Sequence, residues 1–457
     1  MNIATINRIF NNKVYFDKIG INNATAISID SMIEYIEHTI GKSKPHLDSI
    51  KIDFDFGQLP SDFTLDKFLL AIDRLYVPKL DISKGIPRFN PKIEITPPME
   101  FLNITTLSLN LTLQQTYARD FEYILKWCPM LSTLTLIAIE VLDDEDKQVT
   151  IFSQALIDHK SLTTAQLFLD SPESDSNVIK YVNSNSTISD LIISFGDDAN
   201  SQPTDGPMIA NTTLKKFHID NDIRYYQLWN GMSNLESIGL YHDSTHLLNR
   251  EPLVKTFSLS HRNIKQLEFT ILGQDYLDTL AEIIGLLEGL ERLCIFSNST
   301  LDSNIDIFWL LHSITNHNSL EYLSWDNYLL YDSIPVFLME QICEIKNHPS
   351  LKTLKLSISS SPDTFIKNFN ACSIENLIIS NDQIRVSYDE SMLVSLLNQK
   401  ENLKSLTYYY KYDVKAIAEV RKALLNYFQT HSNPILPPHL KIYYVDAWKV
   451  YLQAQKH

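Results

Sequence analysis

The stretch IEHTIGKS ends in Gly41, Lys42 and Ser43, the last three letters of a phosphate-binding loop. In such a loop, glycine-rich backbone surrounds the phosphates, while the lysine and the hydroxyl contact phosphate and magnesium. The motif also needs a glycine five positions before Gly41, where this chain has Ile36. No strand pattern leads into a glycine-rich turn before it. We therefore do not predict a nucleotide site.

Histidines and cysteines are the remaining candidates for metal or nucleophilic chemistry. His242 and His246 are four residues apart, a spacing that suits two metal ligands on a helix. They directly follow the strand-like LESIGLY, so we expect a solvated loop. No CxxC, GxSxG or HExxH motif is present, so we predict a non-enzyme without cofactor or metal. The widely spaced cysteines indicate buried, reduced thiols in a reducing compartment: Cys128, Cys294, Cys343 and Cys372.

Composition and charge narrow the class of protein. The chain has 457 residues, 44% of them apolar and 21% charged, which is typical of a folded chain. Its formal charge of -16 disfavours nucleic acid and anionic membranes as partners and mildly favours a basic protein surface. The tyrosines at 225–226 and 408–410 could stack on bases, but the acidic balance favours packing roles. Without an apolar N-terminal core or a run of about 18 apolar residues, we expect no signal peptide and no membrane span. The expected location is the cytoplasm, with the nucleus as the alternative.

A repeated frame organises most of the chain. In HPSLKTLKLSIS, Leu351 is followed by Leu354 and Leu356, giving the pattern LxxLxL. The pattern recurs at a mean spacing of about 27 residues. The copies are LDSIKI, VPKLDI, NITTLSL, MLSTLTL, SLTTAQL, TISDLII, LKKFHI, NLESIGL, NIKQLEF, GLERLCI, SLEYLSW, SIENLII and NLKSLTY, with a fainter ATAISI at 24–29 and a last LKIYYV. Each copy predicts a short strand.

Segments with helical periodicity lie between these strands. Residues 118–128 and 276–289 place apolar side chains on one face, as do residues 336–345 and 390–399. A strand and a crossover helix that recur at this period form one unit, which buries its apolar face only by stacking on its neighbours. We therefore predict an α/β solenoid with a parallel sheet.

The LxxLxL frame resembles that of leucine-rich-repeat proteins, in particular the intracellular ribonuclease-inhibitor-like and F-box-type repeats. The resemblance covers roughly residues 45–410 and implies a curved right-handed solenoid with the sheet on the concave face and helices on the convex face. The family has Asn or Cys three residues after the last Leu. Asn298 matches this rule, whereas Thr112, Gly196 and Ser359 depart from it.

Three segments follow from the extent of the repeat: an N-terminal cap at 1–45, the solenoid at 46–411, and a cap helix with a last strand at 412–457. The resemblance implies a monomeric, non-catalytic scaffold that binds a protein or peptide on the concave face. The alternatives are a substrate-recognition subunit of a ubiquitin ligase and a regulator of a small GTPase. Residues 1–45 lack the Leu-Pro start and tryptophan-bearing helix of an F-box.

Alternation along the strands predicts the binding residues. If the three frame residues point inward, the side chains between and after them point to the concave face. His218, Thr270 and Tyr409 belong to this exposed set. Aromatic residues beside charges are the usual anchors of protein interfaces. The candidate protein-binding residues are Asp220, Tyr241, Glu268, Arg292, Phe296, Tyr322, Asp326 and Lys355.

Overall fold

The computed structural model divides into two units, residues 1–224 and 225–457. It describes residues 18–24, 48–54, 77–83, 103–111, 116–138, 141–142, 154–169, 175–195, 208–220, 224–241, 250–297, 306–327, 345, 348–357, 374–381, 404–411, 422, 429, 439–445 and 451–453.

The first unit contains short strands with helices between some of them. The strands are β1 (Lys18–Ala24), β2 (Ser49–Phe54), β3 (Lys79–Ser83), β4 (Thr106–Leu111), β5 (Thr116–Tyr117), β6 (Thr133–Ala138), β7 (Val141–Leu142), β8 (Thr164–Leu169), β9 (Asp190–Phe195) and β10 (Lys216–Asp220). The helices are α1 (Ala118–Trp127), α2 (Gln154–Asp158) and α3 (Asp175–Ser184).

Every strand of the main sheet in this unit is parallel to the strand before it. The order is β1, β2, β3, β4, β6, β8, β9, β10, which is the order along the chain. Parallel neighbours require a crossover connection, and α1, α2 and α3 lie in three of these connections. The short β5 and β7 pair separately.

The second unit repeats the same plan. Its strands are β11 (Ser237–Tyr241), β12 (Gln266–Ile271), β13 (Arg292–Ser297), β14 (Tyr322–Asn327), β15 (Thr353–Ser357), β16 (Asn376–Asn381), β17 (Ser405–Lys411), β18 (His439–Val445) and β19 (Tyr451–Gln453). Its helices are α5 (Arg250–Leu259), α6 (Gln274–Leu286) and α7 (Phe308–Thr315), and the short α4 (Arg224–Gln227) runs across the division between the units.

The sheet of the second unit also follows chain order. Strands β11 to β18 are parallel, each paired with the next, and β19 adds antiparallel to β18. Each of α5, α6 and α7 connects two consecutive strands. Both units therefore have the repeating α/β solenoid architecture predicted from the LxxLxL frame.

The frame residues form the core. In the copy HPSLKTLKLSIS, Leu351 and Leu354 are 1% exposed and Leu356 is fully buried. The described frame residues of the other copies are likewise buried, including the weak copy with Ala165. The faint copy at 24–29 lies outside the described residues apart from Ala24, which ends the first described strand, Lys18–Ala24; that strand pairs Ile19 with Ile50. The predicted N-terminal cap segment thus contributes a strand to the sheet.

Two of the predicted helices are confirmed as α1 and α6. On α6, Leu277, Leu280 and Ile284 are buried, and the ring of Tyr276 packs edge-on against Phe269 of β12, with centroids 6.5 Å apart. The helix therefore packs against a frame residue of the preceding strand. The helices predicted at 336–345 and 390–399, and the C-terminal cap helix, lie outside the described residues apart from isolated positions.

Buried asparagines join consecutive repeats of the first unit. Asn211 lies three residues before the frame residue Leu214. Its amide group donates to the carbonyl oxygens of Val182 at 2.6 Å and Asn185 at 3.0 Å. Its Oδ1 accepts from the backbone N–H groups of Thr213 and Leu214, both at 2.8 Å. One side chain thus satisfies the end of a helical segment in one repeat and the start of the strand in the next.

Histidines occupy the same position in the second unit. His348 lies three residues before Leu351, and its Nε2 donates to the carbonyl of Ile314 at 2.9 Å. Its Nδ1 accepts from the backbone N–H groups of Ser350 and Leu351. We call the residue three before the first frame residue the bridging position. It also holds His159, Asn185, His261 and His317.

Candidate functional site

Seven of the eight predicted binding residues lie on the consecutive strands β11 to β15 of the second unit. Strand register places Arg292 beside Tyr322 and Phe296 beside Asp326. They alternate with buried frame residues such as Leu293, so they lie on the opposite face of the sheet. All seven are half-buried. We call them the sheet-face row: Tyr241, Glu268, Arg292, Phe296, Tyr322, Asp326 and Lys355.

An aromatic pair begins the row. The rings of Tyr241 and Phe296 lie 5.6 Å apart between centroids, tilted by 47°. The Tyr241 hydroxyl also donates a hydrogen bond to the Glu268 carboxylate. Three strands thus contribute to one cluster, which combines two ring faces with a carboxylate.

A cation rests on an aromatic ring at the centre of the row. The guanidinium carbon of Arg292 lies 3.6 Å from the centroid of the Tyr322 ring, a close cation–π contact. Burial raises the pKa of Tyr322, and the Arg292 charge opposes that shift. Burial likewise raises the pKa of the neighbouring Cys294 thiol to about 11, with Glu268 adding to the effect. This thiol is therefore protonated at neutral pH and is a poor nucleophile.

An ion pair completes the row. Lys355 Nζ lies 2.6 Å from Asp326 Oδ2, and their side chains are only 31% and 14% exposed. The Ser324 hydroxyl donates to the same oxygen at 2.7 Å. Burial works against the charge on Lys355, but Asp326 outweighs it, so the pKa of Lys355 is raised. The ammonium group of Lys355 is therefore charged at neutral pH and is held against the Asp326 carboxylate.

The formal charges within the row cancel. Glu268 and Asp326 carry two negative charges, and Arg292 and Lys355 carry two positive ones. The expectation of a basic partner therefore rests on the charge of the whole chain and stays a prediction. Within the row, recognition depends on which ring or charge lies where.

Comparison with known proteins gives this chain no family. No protein-family model and no curated protein sequence matches it. The function of the sheet-face row is therefore inferred from its own side chains.

The eighth predicted residue, Asp220, lies at the end of β10 in the first unit, and its side chain is outside the described part of the chain. Two companions of the row are not exposed as predicted. His218 is 2% exposed, and burial, with a smaller effect of Lys216, lowers its pKa to about 3. Thr270 is also 2% exposed. Both side chains are therefore buried, whereas alternation predicted that they are exposed.

The tyrosines at 225–226 have the packing role that the acidic charge favours. Tyr225 is 2% exposed and Tyr226 is fully buried. The Tyr226 hydroxyl donates to the Gly239 carbonyl at 2.6 Å. The side chains of 408–410 are not described, and the phosphate-loop-like letters at 41–43, the histidine pair at 242 and 246, and Asn298 also lie outside the described residues.

The described residues contain neither a cluster of metal ligands nor a helix that could span a membrane. That part of the chain has no group of three or more His, Cys, Asp or Glu side chains placed to hold a metal ion. It also has no helix that is both long and apolar enough to cross a membrane.

Sequence reasoning missed the groups that link the row. Cys294 and Ser324 share one register column with Glu268 and Lys355, and this column was visible in the repeat alignment. Sequence reasoning also did not predict that α7 exposes two adjacent aromatic residues. Phe308 and Trp309 are 60% and 61% exposed and lie away from the row.

Proposed function

We propose that the chain is a leucine-rich-repeat-type protein that acts as a non-catalytic scaffold and binds a protein or peptide through its sheet-face row. The observation that carries the proposal is the row itself. Aromatic rings, a stacked guanidinium and a half-buried ion pair occur in register on five neighbouring strands. Tyr and Arg in such settings supply much of the binding energy at protein interfaces.

The size of the row suits an extended peptide. Parallel strands lie about 4.8 Å apart, so five strands span about 19 Å. An extended chain advances about 3.3 Å per residue, so about six residues of a peptide would cross the row. The row is half-buried rather than freely mobile, which lowers the entropic cost of ordering side chains on binding.

Reduced cysteines support an intracellular site of action. Among the described residues, Cys128 and Cys294 are buried and form no disulfide. We propose that the chain works as a monomer in the cytoplasm or nucleus, where thiols stay reduced.

A display library of random 12-residue peptides, selected on the purified full-length chain, tests the binding proposal. We expect enriched peptides whose affinity falls at least tenfold with Tyr322→Ala and with Arg292→Ala, because truncating an interface anchor commonly costs about 2 kcal/mol. Trp309→Ala and Arg262→Ala are matched controls, since both positions are exposed and lie outside the row. Peptides that respond equally to row and control variants would contradict the proposal.

Proximity labelling in the native cell then assigns the pathway. Row-dependent labelling of ligase adaptors would make the chain a substrate-recognition subunit. Row-dependent labelling of a small GTPase would make it a GTPase regulator.

A further inference from the structure

Tyr241 and Phe296 meet across an intervening strand. Tyr241 lies on β11 and Phe296 on β13, with β12 between them. Because their ring centroids are 5.6 Å apart, the two side chains must reach toward each other over β12. The strand register pairs Phe296 with Thr270 of β12. The aromatic pair therefore lies over the Thr270 end of that strand.

Thr270 is a buried hydroxyl under this cover. The residue is only 2% exposed, and its Oγ1 has no hydrogen-bond partner within the described part of the chain. Buried hydroxyl groups in proteins are normally hydrogen-bonded, and an exception calls for an explanation, of which a missing ligand is one. A buried hydroxyl without a hydrogen-bond partner thus lies at the strand position beneath the aromatic pair.

Glu268 adds a negative charge to the same site. It lies two residues before Thr270 on the same face of β12, and its carboxylate accepts from the Tyr241 hydroxyl. A guanidinium would be a stronger donor to this carboxylate than the neutral phenol, because its hydrogen bond is charge-assisted.

We propose that Tyr241, Glu268, Thr270 and Phe296 form a subsite that binds the guanidinium group of an arginine in the peptide partner; this inference rests on the proposed function. Ring faces attract cations, and a carboxylate makes charge-assisted hydrogen bonds with a guanidinium. A planar guanidinium has several N–H groups, so it can bond to Glu268 while it stacks on a ring, and it reaches the covered Thr270 hydroxyl when the two rings separate. Lysine lacks this plane and binds more weakly.

Methyl NMR on the full-length chain tests the subsite without a peptide. The Thr270 methyl signal, assigned by its loss in Thr270→Ser, is followed while N-acetylarginine amide is added. We expect a saturable shift with this probe, a smaller one with N-acetyllysine amide, and none with the uncharged N-acetylcitrulline amide. Equal shifts with arginine and citrulline, or no shift with arginine, would overturn the subsite.

Glu268→Gln supplies the matched variant, because its amide oxygen can still accept from Tyr241. We expect it to weaken arginine binding about tenfold, since it removes a charge-assisted bond. Thr270→Val, which keeps the shape and removes the hydroxyl, should weaken binding several-fold. If both variants bind arginine like the wild type, the subsite is wrong.

Peptide selection separates this inference from the proposed function. If enriched peptides depend on Tyr322 and Arg292 but carry no arginine that is coupled to Glu268, the scaffold proposal stands and the subsite fails. If N-acetylarginine amide binds as expected but no row-dependent peptide is enriched, the subsite stands and the peptide-binding proposal fails.

Discussion

In both units, the turn before each strand makes the same backbone hydrogen bonds to the preceding repeat. The side chains at this turn differ between the units. We call the residue directly after the first frame residue the turn position. In the first unit, the N–H groups of Ser132 and Thr133 both donate to the Thr105 carbonyl. In the second unit, Lys265 and Gln266 both donate to the Glu236 carbonyl. The backbone ladder therefore does not depend on the side chain at this position.

Hydroxyl side chains reinforce that ladder in the first unit. The side chains of Thr105, Ser132, Thr163 and Ser189 each donate to the turn-position carbonyl of the preceding repeat. The second unit instead has charged residues at this position, and its ion pairs are Lys265–Glu236, Lys352–Glu321 and Lys404–Glu375. The side-chain interactions between consecutive turns are thus neutral hydrogen bonds in the first unit. In the second unit they are exposed ion pairs.

This difference shows which positions the fold constrains. A turn carbonyl already bonded by two N–H groups accepts a third donor readily but does not require it. The described frame residues, by contrast, are buried in both units, and so are the asparagines and histidines at the bridging position. We therefore expect substitutions to have large and equal effects at the frame, intermediate effects at the bridging position, and small, unit-specific effects at the turn.

Frame substitutions should have the largest effect and should not distinguish the units. Leu134→Ala in the first unit and Leu323→Ala in the second each remove a fully buried side chain. Each should lower the free energy of unfolding by about 3 kcal/mol. Hydrogen exchange, read separately on the strands of each unit, measures the loss. A loss below about 1 kcal/mol at either site would contradict the equivalence of the two cores.

Acid should act on the second unit through His261. Burial lowers its folded-state pKa to about 4 from 6.5, against a weaker opposing effect of its bond to the Tyr226 carbonyl. The unfolded chain therefore takes up the proton first as the pH falls. The stability that the neutral His261 ring contributes is fully present above about pH 6.5. As the pH falls from about 6.5 to about 4, this contribution is lost, and the free energy of unfolding decreases by about 3 kcal/mol at most.

Hydrogen exchange at β11 and β12, corrected for intrinsic rates, measures this acid loss. His261→Asn removes the titrating group and should flatten the pH dependence, whatever it does to the stability at pH 7. An unchanged slope in that variant would show that another group causes the acid loss.

The bridging position should respond to the loss of its hydrogen bonds and tolerate an exchange of residue type. His348→Ala leaves the N–H groups of Ser350 and Leu351 without their acceptor and should cost about 2 kcal/mol. His348→Asn keeps an acceptor of the kind that Asn211 provides in the first unit. We expect it to recover at least half of the loss in denaturant unfolding. Equal destabilisation by both substitutions would mean that the ring packs rather than bonds.

Turn substitutions should be the mildest and should separate the units by salt. Ser132→Ala should cost about 0.5–1 kcal/mol at any ionic strength, because it removes a neutral hydrogen bond. Lys265→Gln breaks a pair whose side chains are 50% and 41% exposed. It should cost less than about 0.5 kcal/mol, and the cost should vanish in 1 M salt. A salt-independent cost for Lys265→Gln would contradict the ionic ladder.

Sequence reasoning succeeded where a residue's role depends only on its apolar character and spacing. Even Ala165, the least regular frame residue, lies on a core strand because its neighbours in the frame require that register. It failed where a role depends on a partner in another repeat. Nothing local distinguishes the bridging His348 from a solvated loop histidine, since the Ile314 carbonyl it binds lies 34 residues earlier.

The sequence by itself determined the repeating α/β architecture, the inward frame and the face on which the row lies, because period and alternation are properties of one strand. Only the tertiary structure decided which side chains of the row touch. Arg292 reaches Tyr322, and Tyr241 reaches Phe296 over a strand between them, because stacking brings together residues that are about 30 or more positions apart in the chain. Stacking also covers the Thr270 hydroxyl, which alternation alone predicts to be exposed.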